Sequence, residues 1–156
     1  MAFKQRSTPE QAFQKLKHFC SYQERCHFEV KEKLYSLGLW KKDVETILSQ
    51  LIEAEYLNEE RFAEQFAGGK FRMKQWGRVK IRYELKQKQV SEYCIKKAMK
   101  IIPEADYLKT IKQCLNKKLA LVKGEKNHLI KKRKILDYLL QKGYERDLVM
   151  SLINDL

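Results

Sequence analysis

The sequence contains little proline and glycine, with two prolines and six glycines in 156 residues. Sandwiches and barrels built from β-strands need many turns, and those turns depend on these two residue types. The scarcity therefore argues against an all-β fold. Lysine, glutamate, leucine and glutamine are abundant instead, and all four are good helix formers. The composition predicts an all-α protein.

Long apolar runs are also missing. The longest extends over about four residues, such as 119–122, whereas a transmembrane helix needs about 20. Residues 1–6 are basic, but the apolar segment of a secretory leader does not follow them. These absences predict a cytoplasmic protein without membrane contact. Its four cysteines should be free thiols, because the cytoplasm keeps thiols reduced.

Motifs of the common catalytic sites are absent. The chain has no G-x-S-x-G, no phosphate-binding P-loop and no H-E-x-x-H. A nuclease would need several carboxylates converging on metal ions, and the strongly basic segments contain only Glu84, Glu92 and Glu125. The sequence therefore predicts a binding protein with no catalytic residues and no cofactor.

Two histidines and two cysteines lie close together near the N-terminus, at His18, Cys20, Cys26 and His27. Zinc is bound by such side chains, but structural sites commonly include a closely spaced C-x-x-C pair, which is missing here. Cysteine is also one of the most frequently buried residue types. We interpret the two cysteines as buried thiols and predict no metal; a zinc site is the alternative.

Helix boundaries are marked clearly along the chain. The segment from Thr8 to Gln11 is a capping box, with proline at the first helical position. Apolar residues then recur at helical spacing in nine segments. Further boundary signals are expected at Gly38, Asn58, Gly77, Ser91, Pro103 and Gly143. Gly68 and Gly69 fall inside the fourth predicted helix, where we expect them to interrupt it.

The apolar pattern repeats with a period near 50 residues. Six positions of the first copy, Val30, Leu34, Leu39, Val44, Leu48 and Leu51, correspond to Ile81, Leu85, Val90, Ile95, Met99 and Ile102, and then to Ile135, Leu139, Tyr144, Val149, Ile153 and Leu156. Gly38 and Gly143 also correspond, with Gln89 between them. We predict three tandem three-helix repeats, at about 9–55, 58–102 and 104–156, which form an elongated, curved helical array.

The net charge of +13 is unevenly distributed. Residues 1–69 are close to neutral, whereas residues 70–100 carry 11 basic and 2 acidic side chains and residues 109–134 carry 10 basic and 1 acidic. Two segregated basic segments are typical of a protein that binds a polyanion such as nucleic acid. The alternative is a merely soluble basic protein.

The candidate binding residues come from these two basic segments. They are Lys70, Arg72, Lys74, Arg78, Lys80, Arg82, Tyr83, Lys86, Lys117, Lys118, Lys131, Lys132 and Arg133. On the fifth helix, Arg78, Arg82 and Lys86 form a stripe beside the apolar seam, at i, i+4 spacing. Tyr83 lies opposite that seam, where it could contact a base; packing against a neighbouring helix is the alternative.

Three stretches resemble the bacterial RecX family. Residues 56–66 (YLNEERFAEQF) are similar to its "YLnDerFA..F" segment, and residues 77–88 (GRVKIRYELKQK) to its "G..rI..eL..KG" segment. Residues 134–144 (KILDYLLQKGY) are similar to its C-terminal motif. The resemblance covers nearly the whole chain, so residues 1–156 are expected to form a single RecX-like unit. Gln89, where glycine is usual, and the Gly68-Gly69 pair depart from the pattern.

This resemblance implies a fold of three tandem three-helix repeats and a role as regulator of the RecA recombinase. Family members bind the groove of the RecA filament on single-stranded DNA and limit filament growth, recombinase activity and ATP hydrolysis. The implied partners are therefore RecA and RecA-coated single-stranded DNA, with bare DNA as a further ligand and a monomer as the expected state. The alternative is an autonomous nucleic-acid-binding protein built from modules that resemble helix-turn-helix units.

The repeats are expected to act together, because several binding surfaces on one chain raise each other's effective concentration. Removing residues 104–156 should then leave a folded two-repeat fragment that binds filaments more weakly and no longer inhibits RecA.

Overall fold

The computed structural model describes residues 6–156, and this part of the chain contains nine α-helices and no strands. The helices are α1 (Pro9–Tyr22), α2 (His27–Ser36), α3 (Lys41–Glu53), α4 (Glu59–Lys74), α5 (Arg78–Gln87), α6 (Glu92–Met99), α7 (Glu104–Leu121), α8 (His128–Gln141) and α9 (Arg146–Asn154). The all-α helical repeat fold is confirmed. The expectation about a leader was drawn from residues 1–6 and the segment after them, and residues 1–5 lie outside the described residues.

The predicted helix boundaries agree with the structure. Before α1, the Gln11 backbone N–H donates to the Thr8 hydroxyl over 3.2 Å, and the Thr8 N–H donates to the Gln11 side chain over 3.1 Å. Asn58 caps α4 by accepting from the Arg61 N–H, 3.0 Å away. Such caps satisfy backbone donors that a helix N-terminus leaves without partners.

The predicted register of the core is confirmed at four of its six positions. Leu34, Leu85 and Leu139 are fully buried. The other three buried sets are Val30, Ile81 and Ile135; Leu39, Val90 and Tyr144; and Val44, Ile95 and Val149. The sixth set is wrong at Leu156, which is 51% exposed. Because α9 ends at Asn154, Leu156 lies beyond the last helical turn and does not reach the core.

Two glycines behave differently from the prediction. We expected Gly68 and Gly69 to interrupt the fourth helix, but α4 runs through both without a break. Helical hydrogen bonds and the packing of Phe62, Ala67 and Phe71, which are all buried, outweigh the cost of roughly 1 kcal/mol that each glycine imposes on a helix interior.

The packing divides the chain into two compact units. Unit 1 contains residues up to Gln65 together with Leu85–Ile95, and unit 2 contains Phe66–Glu84 together with Lys96–Leu156. Helices α4, α5 and α6 therefore contribute residues to both units. None of the helices in residues 6–156 is both long and apolar enough to cross a bilayer.

Unit 1 has an aliphatic core. Its α1, α2 and α3 pack together around Leu16, Leu34 and Leu51, all of which are fully buried. Leu57, which follows α3, closes the same cluster.

Unit 2 is organised around two buried tyrosines, Tyr107 and Tyr144. The Tyr107 ring stacks on Phe71 at a centroid distance of 6.0 Å and lies 5.4 Å from the ring of Tyr144. Each hydroxyl is satisfied, since Tyr107 donates to Glu145 and Tyr144 donates to the Gln75 carbonyl. Buried tyrosines need such partners because an unpaired buried hydroxyl is costly.

Candidate nucleic-acid interface

A close backbone contact within unit 2 builds the candidate site. The turn between α4 and α5 lies against the turn between α8 and α9: the Gly77 N–H donates to the Lys142 carbonyl over 2.8 Å, and the Val79 N–H donates to the Gly143 carbonyl over 2.9 Å. A Cβ atom on Gly77 would lie 2.3 Å from the Gly143 carbonyl oxygen. Only glycine at position 77 lets the two turns approach this closely.

Because of this contact, Trp76 and Lys80 lie beside Tyr138 and Lys142. These four residues and Gln141 line a shallow groove of about 220 Å³, which we call the Trp76–Tyr138 groove. Residues that are more than 50 positions apart in the sequence thus share one surface.

Lysine ammoniums surround the indole of Trp76. The Lys80 Nζ lies 4.7 Å from the ring centroid, the Lys70 Nζ 5.1 Å and the Lys74 Nζ 5.9 Å. The indole also contacts Phe66 edge to face, with a centroid distance of 6.3 Å and an angle of 68° between the ring planes. The phenyl ring constrains the orientation of the indole, and the ammoniums lie within cation–π distance of it.

Two further lysines flank the Tyr138 ring. The Lys118 Nζ lies 5.2 Å and the Lys142 Nζ 5.9 Å from its centroid. Lys142 also donates to the Lys74 carbonyl over 3.1 Å, which ties the two sides of the groove together. Burial raises the pKa of the Tyr138 hydroxyl, so this ring brings no negative charge to the groove at neutral pH.

The electrostatic feature of the groove is uncompensated positive charge. We call Lys70, Lys74, Lys80, Lys118 and Lys142 the groove lysines. Within residues 6–156, none of them forms an ion pair with a carboxylate. Five ammoniums held together without counter-charges create a local positive potential that attracts anions.

Some of the predicted binding residues already have acidic partners. Arg133 pairs with Asp137 at 3.2 Å, and Lys86 pairs with Glu92 at 3.9 Å within unit 1. Lys86 belongs to unit 1, and the twelve other candidates, Arg133 included, belong to unit 2. Four of them, Lys70, Lys74, Lys80 and Lys118, come together at the groove.

The remaining candidates are distributed over the surface of unit 2. Tyr83 is 59% exposed, so most of its side chain is accessible to a ligand. Arg72 and Lys117 are exposed, whereas Arg82, Lys131 and Lys132 are half-buried.

Arg78 has a structural environment that its sequence position did not reveal. Its guanidinium pairs with Glu145 at 3.1 Å and with Glu104, and it lies 3.7 Å from the Tyr107 ring centroid. Its side chain is only 24% exposed. The expected stripe of Arg78, Arg82 and Lys86 is therefore not a uniform surface, because Arg78 is held by Glu104, Glu145 and the Tyr107 ring.

The sequence analysis missed four residues that line the groove: Trp76, Tyr138, Gln141 and Lys142. Trp76 lies near the start of the first basic segment, among lysines and arginines, and an aromatic ring among basic residues is a usable signal for nucleic-acid contact. Tyr138 and Lys142 lie in a segment with no excess of basic residues, so no local pattern marked them.

The cysteines near the N-terminus are buried free thiols, as predicted. Burial raises the pKa of Cys20 to about 11 and that of Cys26 to about 12. The Cys26 thiol also donates to the Glu29 carboxylate, 3.2 Å away. Because the thiolate is the nucleophilic form, both groups are unreactive at neutral pH.

Two models of one protein family match this chain. The model described as "RecX, second three-helix domain" matches residues 58–99, and "RecX, third three-helix domain" matches residues 104–153. Together these matches cover more than half of the chain.

Individual relatives agree with these domain matches. A "Regulatory protein RecX" of Prosthecochloris aestuarii is 27% identical over 141 residues, which make up 88% of each chain. That of Clostridium perfringens strain 13 is 30% identical over 129 residues, covering 82% of this chain and 60% of the relative. The chain thus spans most of the first relative but less than two thirds of the second.

Solved structures show the same fold. The crystal structure of RecX from Lactobacillus salivarius superimposes with a TM-score of 0.84 at 23% identity, covering 95% of this chain and 96% of that one. A second crystal structure, of regulatory protein RecX, also gives a TM-score of 0.84, at 21% identity and with 72% of that chain covered.

Proposed function

This chain belongs to the RecX family of regulatory proteins, and from that premise we propose that it regulates a RecA recombinase. In this proposal it binds RecA-coated single-stranded DNA and inhibits filament extension, recombinase activity and ATP hydrolysis. It acts as a cytoplasmic monomer and a binding protein, without a cofactor or a catalytic step.

The observation that carries the proposal is the uncompensated charge of the Trp76–Tyr138 groove. A nucleoprotein filament presents phosphates together with acidic protein surface, and both attract ammonium groups that form no ion pair with a carboxylate of residues 6–156. An aromatic ring beside the ammoniums adds a contact surface for bases. The basic segments at 70–100 and 109–134 extend this field beyond the groove itself.

The experiment measures inhibition of RecA-dependent ATP hydrolysis and strand exchange against protein concentration. The groove variant, Lys74→Glu with Lys80→Glu, reverses two charges beside Trp76. The matched control, Lys31→Glu with Lys42→Glu, makes the same change in net charge at exposed positions of unit 1. We expect the groove variant to need at least about ten times more protein for half-inhibition, because long-range attraction and direct contacts are both lost. The control should stay close to the unmodified chain.

Equal potency of the groove variant and the unmodified chain would exclude the groove as the contact with the filament. A chain that fails to inhibit RecA at any concentration would contradict the regulatory proposal itself.

Direct binding to DNA is the second candidate, and the exposed aromatic and basic side chains of unit 2 favour it. We compare affinity for bare single-stranded DNA with affinity for RecA-coated DNA at the same salt concentration. If about five phosphates are contacted, log affinity should fall with log salt at a slope near −3.5 for single strands. A regulator of filaments binds RecA-coated DNA more tightly than bare DNA. An autonomous nucleic-acid-binding protein binds bare DNA at least as tightly as RecA-coated DNA.

A further inference from the structure

We infer that the Trp76–Tyr138 groove is a subsite for single-stranded nucleic acid, in which one unstacked base packs on Trp76 and the neighbouring phosphates contact the groove lysines. The inference rests on the proposed function, because it concerns the same surface, and it adds the chemical class of ligand and the way in which that ligand is held.

The first argument is the pairing of rings with ammoniums. A phosphate ion or an acidic peptide would need only the lysines, and an apolar peptide would need only the rings. Single-stranded nucleic acid alternates an anion with a flat aromatic base, so it uses both. The groove is lined by the rings of Trp76 and Tyr138, and it has Lys80 beside the first ring and Lys142 beside the second.

The second argument is that the ammoniums are available to a ligand. Lys70, Lys74 and Lys80 lie near the indole, and within the described part of the chain none of them pairs with a carboxylate. Hydrogen bonds to a charged phosphate are stronger than contact with a neutral ring. An arriving strand therefore draws these side chains from the indole to its phosphates, which leaves the ring face to a base.

The third argument favours single strands over a duplex. In a double helix the faces of the bases are covered by their neighbours, so only an unpaired strand can offer a base face to a protein ring. The groove, at about 220 Å³, is a small depression and does not accommodate a helix of DNA. Gln141 is the one uncharged amide side chain on its wall, so little reading of base edges is expected and binding should tolerate different sequences.

The fourth argument is preorganisation. The contact of Gly77 with Gly143 holds the backbone on either side of the groove, and the edge-to-face contact with Phe66 orients the indole. A surface that is already ordered loses little conformational entropy when a strand binds.

The test uses bare oligodeoxythymidylate of about 12 nucleotides, without RecA, and measures affinity by fluorescence anisotropy. Trp76→Ala should weaken binding by about 5- to 150-fold, the range that removal of one stacking contact produces. Trp76→Phe should recover part of the loss, since a phenyl ring also stacks. The matched control is Trp40→Ala: Trp40 is 66% exposed and has Arg6 over its ring, but it belongs to unit 1. The affinity of the Trp40→Ala variant for oligodeoxythymidylate should equal that of the unmodified chain.

An abasic oligonucleotide of the same length gives a second arm that needs no change at Trp76. The unmodified chain should bind it as weakly as Trp76→Ala binds oligodeoxythymidylate, with the same salt slope, because the phosphate contacts are kept. In the Trp40→Phe chain, whose single indole is Trp76, fluorescence should be quenched by oligodeoxythymidylate and not by the abasic strand.

Equal affinity for the abasic and the complete strand, or no quenching of Trp76, would overturn the inference and leave a surface that binds phosphates alone. Tighter binding of a duplex than of the single strand would also overturn it. A chain that inhibits RecA but binds no bare strand contradicts this inference and not the proposed function. A chain that binds the bare strand with quenching of Trp76 but does not inhibit RecA supports this inference and contradicts the proposed function.

Discussion

Gln89 adopts a left-handed backbone conformation, with φ of 59°, just after α5. Its counterparts Gly38 and Gly143 have φ of 85° and 96°. In all three turns the residue's N–H donates to the carbonyl three positions earlier, over 2.9–3.0 Å. The turn is thus the same in each repeat, but a side chain with a Cβ atom adopts this conformation only at a cost.

At the residue scale, we therefore expect Gln89→Gly to stabilise the protein. Relief of the left-handed strain outweighs the greater freedom that glycine gives to the unfolded chain, so the free energy of unfolding should rise by about 0.5–1 kcal/mol. Urea denaturation followed by circular dichroism measures this change.

Gln87→Gly is the matched control for Gln89→Gly. Gln87 is exposed and helical, in the last turn of α5, where glycine should lower the free energy of unfolding by about 0.5–1 kcal/mol. Changes of the same sign in both variants would show that φ at position 89 does not determine the result.

At the scale of elements, the contact between the α4–α5 turn and the α8–α9 turn depends on the absence of a side chain at position 77. Gly77→Ala places a methyl group against the backbone of Gly143 and Tyr144, at 2.3–2.5 Å. Backbone atoms cannot move aside as the end of a flexible side chain can. We expect a loss of about 3 kcal/mol in the free energy of unfolding, at the upper end of ordinary overpacking.

Gly69→Ala provides the control for Gly77→Ala. It lies within α4, and a Cβ atom there meets nothing within 4 Å. Both changes reduce the freedom of the unfolded chain equally, so their difference reports the folded state. Gly69→Ala should raise the melting temperature, because alanine is favoured over glycine in a helix by about 1 kcal/mol. A stable Gly77→Ala protein would show that the two turns can separate without cost.

At the scale of the whole molecule, the boundary between the second and third predicted repeats falls inside one compact unit. Unit 2 joins Phe66–Glu84 to Lys96–Leu156, with Phe71 stacked on Tyr107 and Gly77 hydrogen-bonded to Lys142. A chain cut after residue 103 loses these partners. The two compact units therefore change what we expect of such a fragment, which the sequence had suggested would fold as two intact repeats.

We now expect the fragment that lacks residues 104–156 to be folded only in part. Hydrogen exchange should show protected amides in α1–α3, whose core lies within unit 1. The amides of Gly77 and Val79, whose acceptors are removed, should exchange at rates close to those of an unfolded chain. In the uncut chain of 156 residues these amides should be protected. Protection of Gly77 and Val79 in the fragment would instead support a second repeat that folds by itself.

The sequence by itself determined the helices, most of their boundaries, the register of the buried leucines at 34, 85 and 139, and the excess of positive charge. These features follow from interactions between residues close in the chain: capping hydrogen bonds, the 3.6-residue period of apolar side chains, and the left-handed turn that ends a helix.

Only the tertiary structure decided which charges meet. In the folded chain Arg78 pairs with Glu104 and Glu145 and lies over the Tyr107 ring, so it does not belong to the expected binding stripe. The tertiary structure also brought Trp76 to Tyr138 and Lys142, which no local pattern connects. The physical reason is that the groove is built by backbone contacts between turns more than 60 residues apart. Whether Gly77 and Gly143 meet depends on the packing of whole helices around the buried tyrosines, and the spacing of residues along the chain does not contain that information.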